Sequence, residues 1–322
     1  GAGMSSINTN IAAMTALQTL SQTNKDLLVT QNRVSTGLRV KDASDNAAYW
    51  SIATTMRSDN MAVSTVQDAL GLGAATVEVA ATALNSSIET VSKIHAKLVA
   101  AMAPGLDRHK IQTEIKELQA ELRNTSQSAV FSGENWLQGN SDTGPTLKTI
   151  VASFSRDSSG TISIGTIEVD VGPGGTMMFD LGTSASAGGL LDKTHTLTNA
   201  TAPNNEISIA GESTGLTIDW ITDDPDDLLA LKEMAEIVDK ALRSMTDAAT
   251  LLGAAKSRVS LQKDFVSKLI DSIDVGIGQL VDADMNEEST RLQALQVRQQ
   301  LGVQALGIAN QSAQMILRLF QS

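Results

Sequence analysis

The sequence predicts a mainly α-helical protein: an elongated coiled-coil bundle built from both ends of the chain, with a small β-rich outer domain inserted between them. Three observations carry this. Apolar residues stand seven apart without a miss from Met56 to Leu98. A second run of the same period and span extends from Leu231 to Ile273. Between Ser141 and Thr222 the texture changes to Gly, Ser and Thr with short alternating runs. A strict seven-residue apolar repeat marks a coiled coil, whereas alternation marks strands.

In chain order, Gly1-Ala2-Gly3 ahead of Met4 reads as an appended scar. The first helical segment, residues 4–42, carries Ile7, Ile11, Met14, Leu17 and Leu20 at steps of three and four, one face of a helix. Turn and cap residues cluster at Ser35-Thr36-Gly37 and at Asp42 to Asp45. The next segment, 43–140, holds the first heptad run: Met56, Val63, Leu70, Val77, Leu84, Val91 and Leu98. Its companion seam, Val66, Gly73, Ala80, Ser87 and Ile94, is mostly small and permits close backbone approach. Pro104-Gly105 ends the helix, and a shorter one with Ile111, Ile115, Leu118 and Leu122 folds back.

The inserted domain, 141–222, contains Thr161 to Ile164 and Ile167 to Val171 as short strands joined by turns such as Gly172-Pro173-Gly174-Gly175. Asp224-Pro225-Asp226-Asp227 then opens the segment 223–275 with an N-cap carboxylate, Pro at the first helical position and acids against the dipole. Its seam includes Met234, Val238, Met245, Leu252, Val259 and Val266. Each heptad run spans about 63 Å of helix, so the two are natural core partners.

The last segment, 276–322, has two apolar seams. One holds Leu292, Leu295, Gln299, Gly302, Leu306, Ala309, Ala313, Ile316 and Phe320; the other holds Val297, Leu301, Ile308, Met315 and Leu319. No charge occurs from Gln299 to Leu317. A helix apolar on two faces must be surrounded, and one chain supplies a single partner for it. The other neighbours must come from other molecules. Ile7, Ile11, Met14, Leu17 and Leu20, with Leu295, Leu301, Leu306, Ile308, Met315, Ile316, Leu319 and Phe320, are therefore the candidate interchain residues.

The composition excludes several function classes. A net charge of -12 argues against nucleic acid, whose phosphates need a concentrated basic surface. The absence of cysteine removes disulfides and thiolate chemistry. The stretch from Ser5 to Asn24 is uncharged but interleaved with polar residues, so it predicts neither a cleaved signal nor a membrane span. His95, His109 and His195 lack metal-ligand spacing, and the acids from Asp223 to Asp227 lack the glycine and spacing of a calcium loop. No nucleophile sits beside a base, and no cofactor motif occurs. The expectation is no enzyme, no cofactor, no metal and no membrane insertion.

The residues also carry a resemblance. Asn32 to Val40 with Ala43 to Ala48, the opening Ile7-Asn8-Thr9-Asn10, Phe131 to Leu137, and Asp282 to Phe320 together resemble the bacterial flagellins. Tyr49 to Ala53 and the Gly-Glu-Asn-Trp element at 133–136 are most similar to the rhizobial, alphaproteobacterial members. The resemblance implies a secreted structural subunit that self-polymerises into the extracellular flagellar filament for swimming, with a hook–filament junction protein as the alternative. It implies 4–42 and 276–322 as filament-core helices and export through the flagellar type III apparatus. The implied partners are other flagellin subunits, an export chaperone, and filament cap and junction proteins. Two departures stand out: Tyr49-Trp50 follows Ala47-Ala48 where flagellins sensed by plants carry a small residue. Ser92 stands where those sensed by animals carry Arg. Both predict weak immune recognition.

Overall fold

The computed structural model describes residues 10–157, 159–182, 188–200, 206–211 and 215–319, the side chains of 313 and 316–319 excepted. Among these residues the helices are α1 (Ile11–Thr36), α2 (Ala47–Ala101), α3 (Arg108–Ser128), α4 (Pro225–Val281) and α5 (Met285–Leu319). Strands β1 (Val130–Phe131), β2 (Glu134–Asn135), β3 (Gln138–Gly139), β4 (Leu147–Arg156), β5 (Ile162–Asp170), β6 (Phe179–Asp180), β7 (His195–Thr196) and β8 (Glu206–Ile207) lie between α3 and α4.

Local chemistry sets the helix ends. The Asn10 side chain accepts from the Ala13 N–H at 3.0 Å to open α1. Gly37, at φ 71°, closes it by donating its N–H to the Arg33 carbonyl at 2.8 Å. A side chain there would be strained in the left-handed conformation, which suits glycine. At α4 the Asp224 carboxylate takes the Asp226 N–H at 3.0 Å. Asp227 reaches back to accept from the Thr222 N–H and hydroxyl at 2.8 and 2.6 Å. Those two bonds hold the Asp227 carboxyl below the usual carboxylate range.

The chain forms two compact units, Met61–Ile270 and the described parts of Gly1–Asn60 with Asp271–Ser322. The cuts fall inside the residue ranges of α2 and α4. The compositional boundary at 275/276 likewise lies within α4.

In the larger unit Val63, Leu70, Val77, Leu84, Val91 and Leu98 of α2 are buried, as are Met234, Val238, Met245, Leu252, Val259 and Val266 of α4. Ion pairs between Lys256 and Glu78 and between Lys97 and Glu114 link α4 and α3 to α2. Residues 141–222, set apart by composition, share this core: Ile150, Ile167, Val169, Met178, Leu191, Ile207 and Leu216 belong to the same apolar cluster. The physical reason is size. Among the described residues the insert's sheets are two-stranded, the longest being the antiparallel β4–β5 hairpin, and such pairs are marginal alone.

Contacts with α2 and α3 fasten the insert. A Cβ at Gly73 would stand 2.5 Å from Ile150 Cγ2, so glycine lets β4 approach α2. Buried Gln119 donates from Nε2 to the carbonyls of Ile209 and Leu216 at 2.7 and 3.3 Å. Gln112 accepts the Ile218 N–H at 2.7 Å. Among the described residues no helix is long and apolar enough to cross a membrane.

Candidate self-assembly interface

In the smaller unit α1 and α5 pack side by side in opposite directions. Asn10 donates to the Ala309 carbonyl at 2.9 Å, Gln299 to Asn24 Oδ1 at 2.8 Å, and Arg33 to Glu288 at 3.0 Å. Beyond them Leu38 bridges to Asp282, and the Ala283 N–H donates to the Gly37 carbonyl at 2.9 Å. As position rises along α1 its partner falls along α5, which fixes one antiparallel register.

The packed face of α1 runs through Ala13, Ala16, Leu20, Thr23, Leu27, Thr30 and Val34, all half-buried or buried. That of α5 runs through Glu288, Leu292, Leu295, Gln299, Gly302, Leu306 and Ala309. Both faces repeat at three and four, as helices that pack along a seam must. They are rich in small residues. A Cβ at Gly302 would meet Leu20 Cδ1 at 3.1 Å, a close approach that glycine permits. Thr23 is buried, and its hydroxyl is satisfied within its own helix by the Thr19 carbonyl at 2.9 Å.

The candidate interchain residues therefore divide. Leu20, Leu295 and Leu306 face the partner helix within the chain. Ile11, Met14 and Leu17 on α1 are 68%, 61% and 57% exposed. On α5, Leu301, Ile308 and Met315 are 58%, 66% and 66% exposed. Ile7 and Phe320 lie outside the described residues, as do the side chains of Ile316 and Leu319. Of the core candidates, Met56 is half-buried and packs on the small cluster of Val40, Ala53, Ile277 and Val281.

Sequence reasoning missed the polar clamp on this unit. Glu288 is buried at 5% exposure and holds both Arg33 and, at 3.4 Å, Arg291. Its place on the α5 seam, one turn before Leu292, was a legible signal, because a charge on an apolar seam needs a partner. The loop before α2 is pinned by Asp45, whose Oδ2 takes the N–H groups of Lys41 and Asp42 at 2.9 and 3.2 Å. These bonds hold its carboxyl below the usual range. The geometry offers contact: on each helix a stripe of large apolar side chains is left exposed.

Comparison with known proteins agrees with that character. Residues 7–142 match the model of the bacterial flagellin N-terminal helical region, and residues 235–320 that of the C-terminal helical region. Flagellin C of Rhizobium meliloti (strain 1021) is 47% identical over 99% of this chain and the whole of the relative. A flagellin of Brucella melitensis is 46% identical and Flagellin A of Rhizobium meliloti (strain 1021) 42%, each with the same coverage. The chain belongs to the bacterial flagellin family, and is a structural subunit of the flagellar filament rather than an enzyme.

Proposed function

We propose that the chain polymerises through the uncovered apolar faces of α1 and α5. Ile11, Met14 and Leu17 supply one stripe, and Leu301, Ile308 and Met315 the other; Ile7, Ile316, Leu319 and Phe320 remain interchain candidates on their sequence positions. Leu20, Leu295 and Leu306 set α1 on α5. The observation that carries this is the exposure of Ile308 and Met315, 66% each, on a stretch without a charged residue from Gln299 to Leu317. Covering one such side chain contributes roughly 1.5–3 kcal/mol, and repetition along the stripes holds a subunit in place.

In this reading the terminal segments cannot complete their burial within one chain, and order when neighbouring subunits arrive. Head-to-tail contacts between unlike faces that fail to close into a ring then build an open helical filament. Segments 4–42 and 276–322 form the filament core, 43–140 and 223–275 the surrounding bundle, with 141–222 directed outward. The chain is exported through the flagellar type III apparatus, escorted by a chaperone, and adds beneath a cap to a filament rooted on junction proteins. Related flagellins co-assemble with it, and the product lies outside the cell.

The test is seeded growth watched by electron microscopy. Leu301→Asp with Ile308→Asp is expected to abolish elongation from wild-type seeds while the monomer keeps its helical circular dichroism. Normal filaments from that variant would refute the proposed faces.

A further inference from the structure

We infer that Met14 and Met315 are oxidation sites that control entry into the filament: a peroxide converts both to sulfoxides in the free subunit, and the oxidised subunit no longer adds. The inference rests on the polymerisation reading above and gives the same two faces a chemical control. The chain has no cysteine, so thioether sulfur is the group that a two-electron oxidant finds in it. Of 11 methionines, Met177, Met178, Met234 and Met245 are buried, and Met56 and Met102 are half-buried. Among the described residues the exposed ones are Met14 at 61%, Met61 at 68%, Met285 at 43% and Met315 at 66%.

Placement separates these exposed sulfurs. Met14 follows Ile11 by three residues and precedes Leu17 by three, in the middle of the open stripe of α1. Met315 follows Ile308 by seven, in register with Leu301, on the open stripe of α5. Met285 is two residues out of that register, and Met61 lies on α2 in the larger unit. Each assembly stripe therefore carries one oxidisable side chain among aliphatic ones that a peroxide leaves alone.

The step is the transfer of one oxygen atom. The sulfur lone pair attacks a peroxide oxygen, so that the S–O bond forms as the O–O bond breaks. The proton on the transferred oxygen passes to the departing hydroxide, which leaves as water. Sulfur is oxidised by two electrons and the peroxide is reduced by two. A thioether is soft and fits an apolar neighbour, whereas the sulfoxide is polar. Its oxygen would enter the contact as an unmatched acceptor, because helix N–H groups are already bonded within their own helices. No Lys or Arg from Gln299 to Leu317 stands ready to meet it.

The experiment treats the full-length monomer with hydrogen peroxide, removes the excess with catalase and measures the critical concentration for seeded growth. Peptide mass spectrometry locates each sulfoxide. Wild type is expected to gain sulfoxide at Met14 and Met315 and to need about tenfold more protein to elongate, with unchanged helical dichroism. Met14→Leu with Met315→Leu, still apolar, should assemble normally before and after peroxide; Met61→Leu with Met285→Leu should stay as sensitive as wild type. A pair of methionine sulfoxide reductases, one for each epimer, should restore growth of the oxidised chain. Oxidised wild type that elongates normally, or a Met14→Leu, Met315→Leu chain that peroxide still disables, overturns the proposal and leaves the polymerisation reading standing. Untreated wild type that forms no filaments overturns both.

Discussion

Arg33 Nη1 donates to Glu288 Oε1 at 3.0 Å, joining α1 to α5 across 255 residues of chain. The Glu288 side chain is 6% exposed and that of Arg33 27%, so the carboxylate is dry and the guanidinium half-wet. Glu288 Oε2 is buried and finds no hydrogen-bond partner among the described residues. Removing one member of a buried pair costs about 3–5 kcal/mol; here partial exposure and the remaining Arg291 reduce it to about 1–2 kcal/mol. Arg33→Met is therefore expected to raise the critical concentration for filament growth about tenfold. Glu288→Gln, which keeps an acceptor and sheds the charge, should cost less. Equal critical concentrations for wild type and Arg33→Met would show that the pair does not set the register.

Deleting Met4–Leu38 or Thr290–Ser322 should leave a soluble monomer that melts cooperatively but does not elongate seeds. The larger unit, Met61–Ile270, retains its own core of α2, α3, α4 and the insert. Robust filaments from either truncation would contradict the assembly reading.

Gly73→Val tests the fit of β4 on α2. A mid-helix Gly costs roughly 1 kcal/mol relative to Ala, so substitution gains something from propensity. Against that, the new Cβ would stand 2.5 Å from Ile150 Cγ2, and overpacking of this kind costs about 1–3 kcal/mol. The clash is expected to win, lowering the melting temperature by several degrees, on the order of 2–6 °C. Pairing it with Ile150→Ala should return part of the loss; a double variant no better than the single would place the strain elsewhere.

Asp192 is where pH acts on the insert. Its burial, with the nearby Asp180 carboxylate, pushes its pKa up, although its Oδ2 takes the Asp180 N–H at 2.7 Å. Oδ1 is buried without a hydrogen-bond partner among the described residues. The folded chain thus binds this proton more tightly than the unfolded one. Its contribution to stability falls as pH rises from the ordinary aspartate range through the raised folded value. Asp192→Asn should raise the melting temperature at neutral pH and flatten that slope. Parallel melting-versus-pH curves for the two chains would refute the assignment.

Gln119→Leu would strip the Ile209 carbonyl of its buried donor, while Leu216 keeps Gln112 at 3.3 Å. The expected cost is about 1–3 kcal/mol, read as a lower urea midpoint for the monomer. An unchanged midpoint would mean that water replaces the amide.

Much of the helical plan is legible in the sequence because its causes are local. The seven-residue repeat from Val63 to Leu98 follows the buried side of α2, and Gly37 and Asp224 mark helix ends by their own backbone and side-chain chemistry. Periodicity is a property of one helix, and caps of a few neighbouring residues, so no distant contact is needed to read them. The amides of Gln112 and Gln119 were not legible in this way. Nothing adjacent in sequence announces that they hold a loop about 100 residues away.

The termini show the division most clearly. The sequence determines that α1 and α5 are amphipathic and that an uncharged stretch at the C-terminal end needs more neighbours than one chain provides. It does not determine which stripe faces inward. On α1 the bulkiest stripe, Ile11, Met14 and Leu17, is left outside, and the seam of Ala13, Ala16, Leu20 and Thr23 packs on α5. Close approach of two backbones selects small side chains opposite Gly302 rather than the most apolar ones. Only the tertiary contact, which weighs shape together with apolar area, settles that choice and leaves the larger side chains uncovered.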